Sequence, residues 1–122
     1  MFSLDGVSKR YGTKTALSNV TFAAKEGEII GLLGVNGAGK TTTMRLILGY
    51  LQPTSGTVRV FDANPIDDRM MVLPRIGYLP ENNPLYTDMK VSEYLQFVSE
   101  VKGELDWETY AEDVGLADVL DQ

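Results

Sequence analysis

Apolar and polar positions alternate over Phe2–Lys9 and again over Val20–Ala24, and the turn-like Tyr11-Gly12-Thr13 lies between these stretches. The pattern predicts two strands of a small antiparallel unit. From Gly27 the character changes. After Glu28, the run Ile-Ile-Gly-Leu-Leu-Gly34 is apolar and of strand length, as expected of a strand covered on both faces. A glycine-rich loop follows at once. Over Lys40–Gly49, Met44, Leu46, Ile47 and Leu48 form the apolar side of a helix that Gly49 is placed to end. Gln52–Gly56 reads as a turn, Thr57–Phe61 and Arg75–Leu79 as strands, and Pro80–Pro84 as loop. Val91, Tyr94, Leu95, Val98 and Val101 have helical spacing, and Glu108–Leu120 reads as one or two short helices. Strands alternating with helices predict an α/β architecture.

Composition changes this picture little. The chain has 122 residues, 43% of them apolar and 23% charged, the proportions of a single globular domain. It has no cysteine, which excludes disulfides and thiolate metal sites. No apolar run approaches the roughly 20 residues of a membrane-spanning helix, and the N-terminus shows no secretory pattern. The net charge of −6 is uneven: from Glu100 onward Lys102 is the sole base among many acids. That acidic end reads as a solvated helical face or as an acidic interaction surface. No basic stripe is present, so nucleic acid is not an expected partner.

The chemistry sits in Gly34-Val-Asn36-Gly37-Ala38-Gly39-Lys40-Thr41, which matches G-x-x-x-x-G-K-[ST] without exception. Glycines let the backbone curl and turn successive N–H groups inward as an anion nest. The following helix adds unpaired first-turn donors and its positive dipole end. Asn36, Gly37, Ala38, Gly39, Lys40, Thr41 and Thr42 are therefore the expected phosphate-binding residues. Lys40 faces the β- and γ-phosphates, the Thr41 hydroxyl is a small hard ligand for Mg²⁺, and Thr42 reaches the α-phosphate side. The strand-like run before the loop and the helical pattern after it supply the context this motif requires.

With that loop in place, the flanking residues resemble the ATP-binding subunits of ABC transporters. The likeness is carried along the whole chain by Lys9-Arg10-Tyr11-Gly12, the phosphate loop, Pro53–Val58 and Ile76-Gly-Tyr-Leu-Pro-Glu81. The last of these, with Asn83-Pro-Leu-Tyr86, is similar to a subgroup of gliding-motility-associated and multidrug-type exporters. The resemblance implies a P-loop NTPase core that is incomplete, a small antiparallel β portion at residues 1–26, the phosphate-loop core at 27–80, and a Q-loop region with the start of a helical subdomain at 81–122.

The resemblance also implies site residues. Tyr11 matches the aromatic on which adenine stacks; a partly buried core tyrosine is the other reading. Ala16 stands where the family places a small wall beside the ribose. Glu81 occupies the position of a glutamine that senses Mg²⁺ and the γ-phosphate, giving it a catalytic and metal-binding role beside Lys40 and Thr41; an ordinary exposed loop glutamate is the other reading. A carboxylate there adds negative charge beside triphosphate, so dependence on Mg²⁺ is expected to be sharper than with an amide. Asn82–Met89 lies where the family meets its transmembrane subunit, and a second nucleotide-binding subunit is the expected dimer partner. ATP and Mg²⁺ are the implied cofactors, and the inner face of the cell membrane, on the cytoplasmic side, is the implied location.

The family's signature loop, its metal-binding Asp followed by a catalytic Glu, and its switch histidine do not appear in the sequence. The chain thus resembles the N-terminal half of a nucleotide-binding domain. It is expected to bind ATP without hydrolysing it, to belong to an ATPase as a whole, and to expose an apolar strand edge that invites self-association. A soluble ABC-type ATPase acting in translation or DNA repair is the alternative. A GTPase is disfavoured by the lack of N-K-x-D, a small-molecule kinase by the lack of an arginine-rich lid. A binding module with no catalytic parent is a further alternative.

Overall fold

Strict alternation would put Leu4 and Val7 on opposite faces of a strand, yet both are fully buried on one face. The computed structural model, which describes residues 1–122, shows why. Strand β1 (Phe2–Tyr11) pairs antiparallel with β2 (Lys14–Ala24), and its register shifts between Leu4 and Val7. Gly6, at φ 57°, takes up the extra residue of a bulge. Its N–H, removed from the ladder, donates to Thr21 Oγ1 at 2.9 Å. Both strands are longer than the alternation predicts and meet at the Gly12 turn. Strand β3 (Ser55–Val60) pairs antiparallel with the other edge of β1, so the sheet order is β2-β1-β3. The antiparallel layer therefore draws on residues well beyond the first 26.

Helix α1 (Lys40–Ile47) lays Leu46 into this sheet, where Leu4, Val7, Leu17 and Val58 form one buried cluster with it. Val60, Ala63 and Val72 form a second cluster, with Ile76 packed against it. Val72 comes from a one-turn helix, α2 (Arg69–Val72), that the sequence pattern does not reveal. The chain divides into two compact units, Met1–Gly77 and Tyr78–Gln122.

In the second unit, α3 (Val91–Lys102) begins where Glu93 accepts from the Lys90 N–H at 2.9 Å. The carbonyls of Leu120 and Gln122 accept from Ser92 and Val91, so the first two donors of α3 are paired. Gly103, left-handed at φ 102°, ends this helix. Helix α4 (Trp107–Asp113) starts at Asp106, whose carboxylate accepts from the Thr109 N–H and hydroxyl. A 3₁₀ turn at Ala117–Val119 follows. No helix of the chain is long and apolar enough to cross a membrane.

Two expected strands are not formed. Glu28–Gly34 is extended but unpaired: Ile29 is 101% and Leu33 94% exposed, and no N–H from Ile29 to Leu33 donates a backbone hydrogen bond. A strand buried on both faces needs neighbours on both edges, and no segment of these 122 residues pairs with it. Arg75–Leu79 is not a strand either. A 3₁₀ turn occupies Leu73–Arg75, and the Arg75 guanidinium lies 3.7 Å from the centre of the Phe61 ring.

An unpaired apolar segment of this kind is a template for another chain. The chain is expected to self-associate with rising concentration, and the double change Ile29→Lys with Leu33→Lys to suppress this. Sedimentation velocity checks both; a concentration-independent monomer for the unaltered chain would overturn the expectation.

Candidate phosphate-binding site

The loop from Gly34 to Gly39 closes on a single turn, with the Ala38 N–H donating to Val35 O at 3.1 Å. Gly37 and Gly39 have φ of 85° and 96°, backbone that side chains with a Cβ rarely adopt. Gly39 is also the N-cap of α1, and no side chain caps that end. Asn36, Gly37 and Ala38 are exposed.

The N–H groups of Gly39, Lys40, Thr41 and Thr42 donate to no acceptor in the protein; the first paired amide of the helix is Thr43, at 2.9 Å from Gly39 O. The first turn of α1 holds no acid, and its one base in the last turn is Arg45. The positive end of the helix is thus left uncompensated beside the loop. Lys40 folds over the same end. Its ammonium donates to Gly34 O and, at 3.0 Å, to Val35 O. A cluster of unpaired amides, a helix end and one ammonium converge on a single exposed surface, and such an arrangement selects anions with several oxygens.

Thr41 is exposed and Thr42 half-buried at the same helix end. No group of three or more His, Asp or Glu side chains forms a cation cage. One hydroxyl suits Mg²⁺, which keeps its waters and takes much of its coordination from phosphates.

Ala16 lies in β2, half-buried, and its carbonyl oxygen faces Gly39, so the fold brings Ala16 to the loop. Tyr11 closes the β1 end of the hairpin opposite Lys14 and is 46% exposed, with Lys9 Nζ 5.1 Å from its ring centre. Glu81 belongs to the second unit, exposed in the stretch before α3. In the same unit Leu85 and Tyr86 are exposed, and the Tyr86 ring meets Phe97 edge-on at 6.3 Å. Leu17 and Thr43, both buried against Gly39, carry no motif that marks them in the sequence.

Residues 17–122 match the ABC transporter family. An uncharacterised ABC transporter ATP-binding protein of Bacillus subtilis, YxlF, is 40% identical over 103 residues, which are 84% of this chain and 33% of the relative. The Nod factor export ATP-binding protein I of Ralstonia nicotianae is 38% identical over 96 residues, 79% of this chain and 30% of the relative. A solved ATP-binding subunit of an ABC transporter superposes over 100% of this chain and 53% of its own, with a TM-score of 0.85 and 26% identity. A P-loop NTPase fold with an N-terminal antiparallel sheet is what the loop and the sheet define. The chain belongs to the ABC transporter family. It spans about a third of the length of these curated relatives.

Proposed function

We propose that this chain holds the triphosphate of ATP with Mg²⁺, as part of the ATP-binding subunit that drives a membrane transporter. The observation that carries the reading is the set of unpaired amides from Gly39 to Thr42 gathered beside the Lys40 ammonium at the positive end of α1. Asn36, Gly37 and Gly39 offer backbone donors to the β-phosphate, Ala38 holds the loop's turn through its bond to Val35 O, Lys40 brings its charge to the β- and γ-phosphates, and Thr42 a donor on the α side. Thr41 supplies the hydroxyl ligand to Mg²⁺, which when bound neutralises phosphate charge. Tyr11 gives adenine a stacking surface, a contact of about 1–3 kcal/mol that tolerates different bases. Ala16 lies beside the ribose. To Glu81 falls the role of sensing the metal and the γ-phosphate that the family gives to this position.

The transport reading is supported by the family match and by the names of the relatives, one of which is an export protein. Leu85, Tyr86 and Met89 present apolar surface within Asn82–Met89, the segment assigned to the transmembrane subunit. A second nucleotide-binding subunit completes the assembly at the cytoplasmic face of the membrane.

Calorimetric titration tests the reading. MgATP is expected to bind the 122-residue chain, inorganic tripolyphosphate to compete with it, and ATP turnover to stay at background because no water-orienting base stands at the loop. Absence of ATP binding would overturn the reading, and turnover by the chain would overturn its catalytic part.

A further inference from the structure

The two arms of the phosphate loop are held very differently. Upstream, Ile29–Leu33 makes no backbone hydrogen bond through its N–H groups and is largely in solvent. Downstream, Gly39 is gripped from two sides. A Cβ added there would stand 2.5 Å from Leu17 Cδ2 and 2.9 Å from Ala16 O, so β2 presses directly on its Cα. On the other side its carbonyl oxygen accepts twice from one residue, from the Thr43 N–H at 2.9 Å and from Thr43 Oγ1 at 2.8 Å. Leu17 and Thr43 are 7% and 3% exposed, and Leu17 belongs to the same buried cluster as Leu4, Val7, Leu46 and Val58.

We infer that Thr43 and Leu17 are positioning residues for phosphate binding, acting through Gly39. The inference rests on the ATP-binding reading above. The peptide that joins Gly39 to Lys40 is planar and trans, so its C=O and its N–H point in opposite directions. Two hydrogen bonds that draw the Gly39 oxygen down the helix axis therefore aim the Lys40 N–H out of the helix end and into the nest. Leu17 prevents the same peptide from rotating, because any swing of Gly39 toward β2 meets its methyl group or the Ala16 carbonyl. The nest is thereby ordered before any ligand arrives, and binding does not have to offset the entropy of arranging it. Because the upstream arm is unpaired, this grip and helix α1, anchored by Leu46, connect the loop to the packed core of the first unit.

Thr43→Val keeps the shape and β-branching of the side chain and removes only the hydroxyl bond. It is expected to raise the Kd for MgATP and for inorganic tripolyphosphate by about 3–10-fold, the worth of one neutral hydrogen bond. Thr43→Ser restores the hydroxyl and is expected to bind within about twofold of the unaltered chain. Leu17→Val, which favours a strand and withdraws the Cδ contact, is expected to weaken both ligands by a similar factor. Calorimetry well below each variant's Tm keeps the folded fraction complete, so a loss of stability alone does not move Kd. If Thr43→Val and Leu17→Val bind like the unaltered chain while Lys40→Ala loses binding, the grip plays no part and the phosphate reading stands. If Thr43→Ser loses as much as Thr43→Val, the methyl group and not the hydrogen bond matters, and the inference fails. If Lys40→Ala also leaves Kd unchanged, the phosphate reading falls and the inference with it.

Discussion

Replacing Lys40 with alanine is expected to cost about 2–3 kcal/mol of ATP binding, a rise in Kd of roughly 30- to 150-fold. The ammonium is the one side-chain charge at the loop, and it donates to Gly34 O and Val35 O. A phosphate oxygen is the stronger partner, because a charged acceptor strengthens a hydrogen bond beyond what a carbonyl provides. The amides of Gly39 to Thr42 remain in Lys40→Ala, so residual binding is expected and not complete loss. Stability should change by less than about 0.5 kcal/mol, since the side chain lies outside both buried clusters. Titration calorimetry with MgATP reads the first quantity and thermal unfolding the second. An unchanged Kd would remove Lys40 from the site; a large fall in Tm would mean that its carbonyl contacts hold the loop folded.

The largest effect on folding is expected from Gly56→Ala. Gly56 lies in β3 at φ 85°, opposite the bulge of β1. A Cβ there would strike the Gly6 carbonyl and stand 2.6 Å from Val7 Cα. These are backbone atoms of the central strand and cannot turn aside. The left-handed conformation costs about 1–2 kcal/mol, and forcing the backbones apart adds about 1–3 kcal/mol. The total of about 2–5 kcal/mol corresponds to a fall in Tm of at least about 10 °C for a unit this small. Gly12→Ala is the matching control. Gly12 has φ 58° and nothing within 4 Å of an added Cβ, so it bears the conformational cost alone. Circular dichroism melts of the two variants separate the contributions. Equal losses would show that β1 and β3 do not approach closely at the bulge.

These expectations draw on different levels of the chain. The Lys40 prediction was legible in the sequence, because G-x-x-x-x-G-K-[ST] states which backbone donors and which ammonium come together within eight consecutive residues. Helices α1, α3 and α4 were legible too, since their periodicity and end signals are local. The Gly56 prediction was not. Gln52–Gly56 reads as a turn, yet Gly56 lies inside β3, where its need for glycine comes from Gly6, fifty residues earlier. Likewise Leu17 reads as one apolar strand residue among several until Gly39 is found against it. The run Glu28–Gly34 shows the opposite case. Its composition is that of a buried strand, but burial depends on neighbouring strands, and the fold of these residues provides none.

The sequence by itself determined the phosphate loop, the helix that follows it and the family, because each rests on residues adjacent in the chain whose backbone conformation and charge are short-range properties. Only the tertiary structure decided that β1 bulges at Gly6, that Ile29–Val35 stands in solvent, and that Thr43 and Leu17 grip Gly39. Those depend on which distant segments meet, and a side chain's partner across a sheet leaves no mark in its own sequence neighbourhood.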